Sequence, residues 1–101
     1  MVKRREIVWT INSEIQLRKI LYYFTQRNKS SKYSQKLYKQ FKSQLRIVAQ
    51  RPQIGIKTKL ANIRGIIIDN YILFYEISDD KIFVLKVWDC RQSPEKLNIP
   101  I

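Results

Sequence analysis

Lys57, Lys59, Arg64, Tyr75, Asp89 and Arg91 are the residues of this 101-residue chain whose types could act together on a phosphate ester, with Tyr71 and Lys86 beside them. Cleaving a strand through its own 2′-hydroxyl needs a base for that proton, an acid for the leaving oxygen and a cation for the phosphorane charge. Arg64 and Arg91 suit only the last role, because a guanidinium does not readily give up a proton. The chain has no histidine. The base would therefore be Asp89, Glu76, or a Lys or Tyr of lowered pKa, and no motif signals such lowering. Arg64 reads as a structural or interface residue, and Arg91 as the one to test for function.

The remaining reactive types carry less. Cys90 has no His to activate it and reads as an inert small residue. Trp9 and Trp88 read as core or sheet-edge packing, the usual use of buried aromatic area. A single cysteine excludes an internal disulfide, and without His no familiar zinc site can be assembled, so neither metal nor cofactor is expected. No apolar run approaches the ~20 residues of a membrane span, and no leader pattern precedes Glu6. The expectation is a cytoplasmic protein with no membrane partner. Lys3, Arg4 and Arg5 read as a basic entry to a strand.

Charge is sorted along the chain. Between Glu14 and Asp69 there are thirteen Lys or Arg and no acid; residues 1–64 carry +14 and residues 65–101 carry −2, for a net +12. Such a surface attracts polyanions or an acidic protein over about 8 Å at physiological salt. An apolar content of 45% is enough to order one small domain spanning residues 1–101.

The elements that must position these residues follow from periodicity. Glu6–Ile11 reads as a strand, and Asn12 or Ser13 as the cap of a helix that places Leu17, Ile20, Leu21 and Phe24 on one face and ends near Arg27. A connector at 28–31 leads to a second helix capped by Ser30 or Ser31 and running to Gln50. Its core face is Tyr33 or Ser34, Leu37, Phe41, Leu45 and Val48. Lys32, Lys36, Lys39, Lys42 and Arg46 form a basic stripe on another face, with no acid to relieve them. Pro52 ends that helix and Gly55 marks a turn.

Three strands follow, Asn62–Ile68, Tyr71–Ser78 and Lys81–Asp89, separated by tight turns at Asp69-Asn70 and Asp79-Asp80. The fold class is α+β: an N-terminal strand, a two-helix hairpin, then a three-stranded antiparallel meander. The central strand is apolar on both faces. Tyr71, Leu73, Tyr75 and Ile77 lie on one, Ile72, Phe74 and Glu76 on the other, and the second face, apolar for most of its length, needs the tail Leu97–Ile101 or a partner to cover it.

This order of elements, with Trp9 closing the first strand, the RPQIG turn at 51–55, Arg64 opening a strand, NYILFYEI at 70–77 and VWDCRQSP at 87–94, resembles the RelE/ParE family of toxins from bacterial type II toxin–antitoxin modules of the plasmid-stabilisation type. The likeness runs from Ile7 to Lys96. It implies the small α+β toxin fold, growth inhibition, and an acidic antitoxin that neutralises the toxin in a hetero-oligomer. Family members either cleave messenger RNA on the ribosome or poison DNA gyrase. The ribonuclease members resemble one another in an Arg where this chain has Ile72, often a His where it has Asp89, often a second Arg where it has Gln92, and a Tyr or His near the C-terminus, which it lacks. A ParE-like character is therefore expected, with a RelE-like endoribonuclease and a small basic nucleic-acid-binding module as the alternatives. The basic stripe of Lys32, Lys36, Lys39 and Lys42, with Ile72 and Phe74, is expected to bind the partner.

Overall fold

Thr10 caps the first helix, two or three residues before the Asn12 or Ser13 expected from the sequence. Its backbone is extended, its Oγ1 accepts from the Ser13 N–H at 3.3 Å, and its own hydroxyl donates to the Val84 carbonyl at 2.8 Å. The cap comes early because the preceding strand is held in parallel register from Glu6↔Lys81 to Trp9↔Val84, and the chain must leave the sheet there. Ile11, expected to end the strand, instead opens the helix and is 79% exposed.

In this computed structural model, which describes residues 4–97 and 99–100, the first strand β1 is Glu6–Trp9 and the helices are α1, Ile11–Asn28, and α2, Lys32–Gln50. Lys29 ends α1 in the left-handed region (φ 50°), where its N–H meets the Gln26 carbonyl and the Ser30 N–H meets that of Thr25. That arrangement satisfies carbonyls the last helical turn would leave bare. Ser34, buried in α2, donates to the Leu21 carbonyl at 2.8 Å and lies 2.7 Å from the Thr25 hydroxyl, a polar link between the two helices. Leu37, Phe41, Leu45 and Val48 are buried as their spacing predicts. Each such side chain contributes about 1.5–3 kcal/mol of burial.

After α2, Pro52–Ile54 form a single 3-10 turn. Four further strands follow: β2 at Ile56–Lys57, β3 at Ile63–Ile68, β4 at Tyr71–Ile77 and β5 at Lys81–Asp89. Both expected hairpin turns are present, with Asp69 at φ 56° in the first and Ser78 N–H bonded to the Lys81 carbonyl around the second. The sheet is nevertheless mixed and five-stranded, in order β1-β5-β4-β3-β2, with β1 parallel to β5 and all other pairs antiparallel. The two-residue β2 left no periodic signal in the sequence. A register shift opposite Phe74 and Tyr75 leaves Leu85 as the extra residue of β5, the local irregularity of a bulge.

Ile66, Ile68, Tyr71, Leu73, Tyr75, Ile82, Val84 and Val87 form the core with Leu17, Phe24 and the buried face of α2. On the opposite face Phe74 is 1% and Trp88 8% exposed. The chain leaves β5 at the Tyr71 end of the sheet, yet the Pro100 carbonyl accepts from the Lys59 N–H at 2.9 Å, beside β2 near the other end. Asn98 and Ile101, part of the tail expected to cover the Phe74 face, lie outside the described residues. Phe74, expected with Ile72 to meet a partner, is buried within the chain, and Ile72 is half-buried.

Candidate functional site

Arg64 and Tyr75 are brought together by the β3–β4 register, and both are consumed by the turn after α2. The Arg64 guanidinium donates to the carbonyls of Gln53 (3.1 Å) and Gly55 (2.9 Å). The Tyr75 hydroxyl donates to the Pro52 carbonyl at 2.7 Å and accepts from the Gly55 N–H at 3.0 Å. Burial, foremost, pushes the Tyr75 hydroxyl pKa up. A base needs the opposite shift, so the candidate base Tyr75 is a buried, doubly bonded structural group. Lys57 stands opposite Arg64 on the short edge strand, and Lys57 and Lys59 are exposed.

Asp89 and Arg91 lie elsewhere. The Arg91 Nε and Nη2 donate to the two Asp89 carboxylate oxygens at 2.9 Å each, and the Arg91 N–H donates to Oδ1 at 2.9 Å. These bonds hold the Asp89 carboxyl below the usual carboxylate range and raise the Arg91 guanidinium further from deprotonation. Nearby, the Tyr33 hydroxyl donates to Asp69 Oδ2 at 2.7 Å, which pushes its pKa up to about 12. Tyr71, opposite Asp89 on β4, is raised chiefly by burial, then by the Asp89 charge, against the lowering influence of Arg91. Burial raises the Cys90 thiol and Asp89 adds to it.

The two halves of the candidate set do not meet. Tyr71 marks the Asp89 end and Tyr75 the Arg64 end of one strand, four residues or about 13 Å apart at 3.3 Å per residue. One end holds a neutralised Arg and raised tyrosines; the other holds a pinned Arg, a buried Tyr and two lysines. Base, acid and cation are not assembled around one point. No group of three potential metal ligands occurs among the described residues, and no helix there is long and apolar enough to cross a membrane.

The basic stripe of α2 is divided by the fold. Lys32, Lys36 and Lys39 border a groove of about 540 Å³ against Ile67, Ile68 and Asp69 of the β3 end. Lys42 turns to the other flank, where its ammonium sits 5.4 Å from the centre of the Tyr38 ring. There two adjoining depressions share Trp9 and Tyr38. Leu17 and Leu21 of α1, Ile7 of β1 and Leu45 of α2 supply their apolar walls, and Arg4, Lys42 and Arg46 the rim. Arg18, also on the rim, is paired to Glu14 at 2.7 Å.

This second groove was missed by sequence reasoning. Its one signal was Tyr38, a large aromatic off the buried face of α2 that stays 41% exposed. Trp9, read as packing, is half-buried and serves as its floor.

Two comparisons with known proteins bear on the chain. Residues 7–94 match the family model described as ParE toxin of type II toxin-antitoxin system, parDE. A solved structure titled "Chromosomal ParDE TA system from P. aeruginosa" superposes with a TM-score of 0.69 at 12% identity, covering 85% of this chain and 96% of that one. No curated protein matches the sequence.

Proposed function

The chain belongs to the ParE toxin family of type II toxin–antitoxin systems, and we propose that it inhibits growth through DNA gyrase in the cytoplasm until an acidic antitoxin binds it. The observation that carries this reading is the family match over 7–94 taken with the dispersal of the ribonuclease-type residues. Arg64 and Tyr75 are committed to the turn at 52–55, and Arg91 is neutralised by Asp89. The arrangement therefore speaks for a toxin that acts by binding and against a RelE-like cut in messenger RNA.

The antitoxin seat that the surface supports best is the Trp9–Tyr38 groove. Its apolar floor suits the apolar face of an amphipathic segment, and its rim of Arg4, Lys42 and Arg46 suits carboxylates on that segment's flanks. Partial neutralisation of a +12 surface also favours the complex. The product is a toxin–antitoxin hetero-oligomer.

Inducing the chain alone in a bacterium should arrest growth, and co-expressing an acidic antitoxin should restore it. Purified protein should inhibit gyrase supercoiling or trap cleaved DNA, and leave ribosome-bound messenger RNA whole. Ribosome-dependent RNA cleavage that disappears on Arg91→Ala would sink the gyrase reading.

A further inference from the structure

The outer face of α2 remains unexplained by the antitoxin groove. Lys32, Lys36 and Lys39 project from it, and at 100° and 1.5 Å per residue they fall within an arc of roughly 60° along about 10 Å of helix. None of them has an ion-pair partner among the described residues. The helix carries no acid. Asp69, the one carboxylate bordering the groove beside the lysines, is occupied by the Tyr33 hydroxyl at 2.7 Å.

The neighbours of these cations indicate what they meet. Gln40, Ser43 and Gln44 line the same groove and offer amide and hydroxyl donors of the kind that hydrogen-bond phosphate oxygens. No aromatic side chain lines it, so neither base stacking nor an aromatic protein anchor is available. Ile67, 57% exposed, is its one well-exposed apolar side chain. A row of unpaired cations with polar donors and little apolar floor suits a regularly charged backbone better than a folded or helical protein segment.

We propose that the outer face of α2 is a track for the phosphate backbone of duplex nucleic acid, contacted without regard to base sequence and separate from the Trp9–Tyr38 groove. The inference does not rest on the toxin reading. Lys42 lies on the opposite flank with Tyr38, so the duplex and a groove ligand have distinct seats.

The test measures fluorescence anisotropy of the purified chain with labelled duplexes of about two helical turns, one DNA and one RNA, from about 50 to 200 mM salt. Three contacts give a slope of log K on log salt near −2.7, at about −0.9 per neutralised phosphate. The triple variant Lys32→Gln, Lys36→Gln, Lys39→Gln should bring it close to zero, while Lys57→Gln, Lys59→Gln, Lys96→Gln, equal in charge removed, should leave it unchanged. Circular dichroism confirms that both variants are folded. An unchanged slope in the first variant, or an equal fall in the second, overturns the track, as does tighter binding of polyglutamate than of either duplex. The duplex bound more tightly identifies the natural backbone.

Discussion

Arg64 and Tyr75 face each other across β3 and β4 and close on one turn from two sides, the guanidinium on the carbonyls of Gln53 and Gly55 and the hydroxyl between Pro52 and Gly55. Residues that could pass for a cation and a base are the buckle that joins α2 to the edge of the sheet. A buried N–H, that of Gly55, depends on the tyrosine hydroxyl for its bond.

Tyr75→Phe should therefore destabilise the fold by about 1–3 kcal/mol, the cost of leaving a buried donor unmet. Urea unfolding reads this as a lower midpoint at unchanged slope. A loss well under 0.5 kcal/mol would mean that water replaces the hydroxyl without penalty.

Gly55→Ala should cost a comparable amount for a different reason. The backbone at Gly55 is ordinary extended chain (φ −74°), but an added Cβ would meet the Tyr75 hydroxyl and come within 2.8 Å of the Gly65 carbonyl. We expect about 1–3 kcal/mol of crowding. Combining it with Tyr75→Phe should cost less than the two losses added, since Tyr75→Phe removes the hydroxyl that the added Cβ meets.

Alkaline stability should depend on Tyr33. Its pKa rises from 10.0 to about 12 because the protonated hydroxyl donates to Asp69. The folded state favours the protonated form, so this stabilisation is complete below pH 10 and is lost as pH climbs from 10 toward 12. Tyr33→Phe should unfold with a shallower dependence across that window, as followed by circular dichroism.

Acid stability should depend on Asp89 in the mirror sense. Its carboxyl is held below its ordinary 3.8, first by the hydrogen bond from Arg91. The stabilisation is present above that pH and fades as pH falls through the lowered value. Asp89→Asn should flatten this acid limb and cost under about 1 kcal/mol at neutral pH, because the Arg91 partner is largely solvated.

Antitoxin binding should divide the basic residues by flank. Tyr38→Ala, which removes a half-exposed ring from the groove, should weaken the complex at least tenfold, about 1.4 kcal/mol. Lys42→Gln with Arg46→Gln should weaken it chiefly at low salt. Lys32→Gln, Lys36→Gln and Lys39→Gln together should change it by less than about twofold at physiological salt, where exposed charges beyond a Debye length are screened. Calorimetric titration of the purified pair checks all three, and a large loss in the last variant would return the whole stripe to the antitoxin.

Local pattern was enough for the helices and the three long strands. Leu37, Phe41, Leu45 and Val48 repeat at helical spacing and are buried together, and Asp69-Asn70 and Asp79-Asp80 punctuate the strands where the hairpins turn. Thr10 was passed over as the cap because its position is set by a partner 74 residues away, the Val84 carbonyl. The edge strand Ile56–Lys57 has only two residues, too few to show a period. The groove was hidden for a similar reason: Trp9, Leu21 and Tyr38 come from three elements, and each alone looks like packing.

The helical hairpin, the meander, the family likeness and the sorting of charge are legible in the residues alone, because periodicity, turn residues and composition are local or additive properties. Tertiary structure alone decided what the charges and hydroxyls are free to do. Registers between distant strands place Arg64 and Tyr75 on a turn and keep Arg91 away from them. The packing of α2 across the sheet sends Lys42 to one flank and Lys32, Lys36 and Lys39 to the other. A side chain's function depends on which partners reach it first, and those partners are brought by the fold.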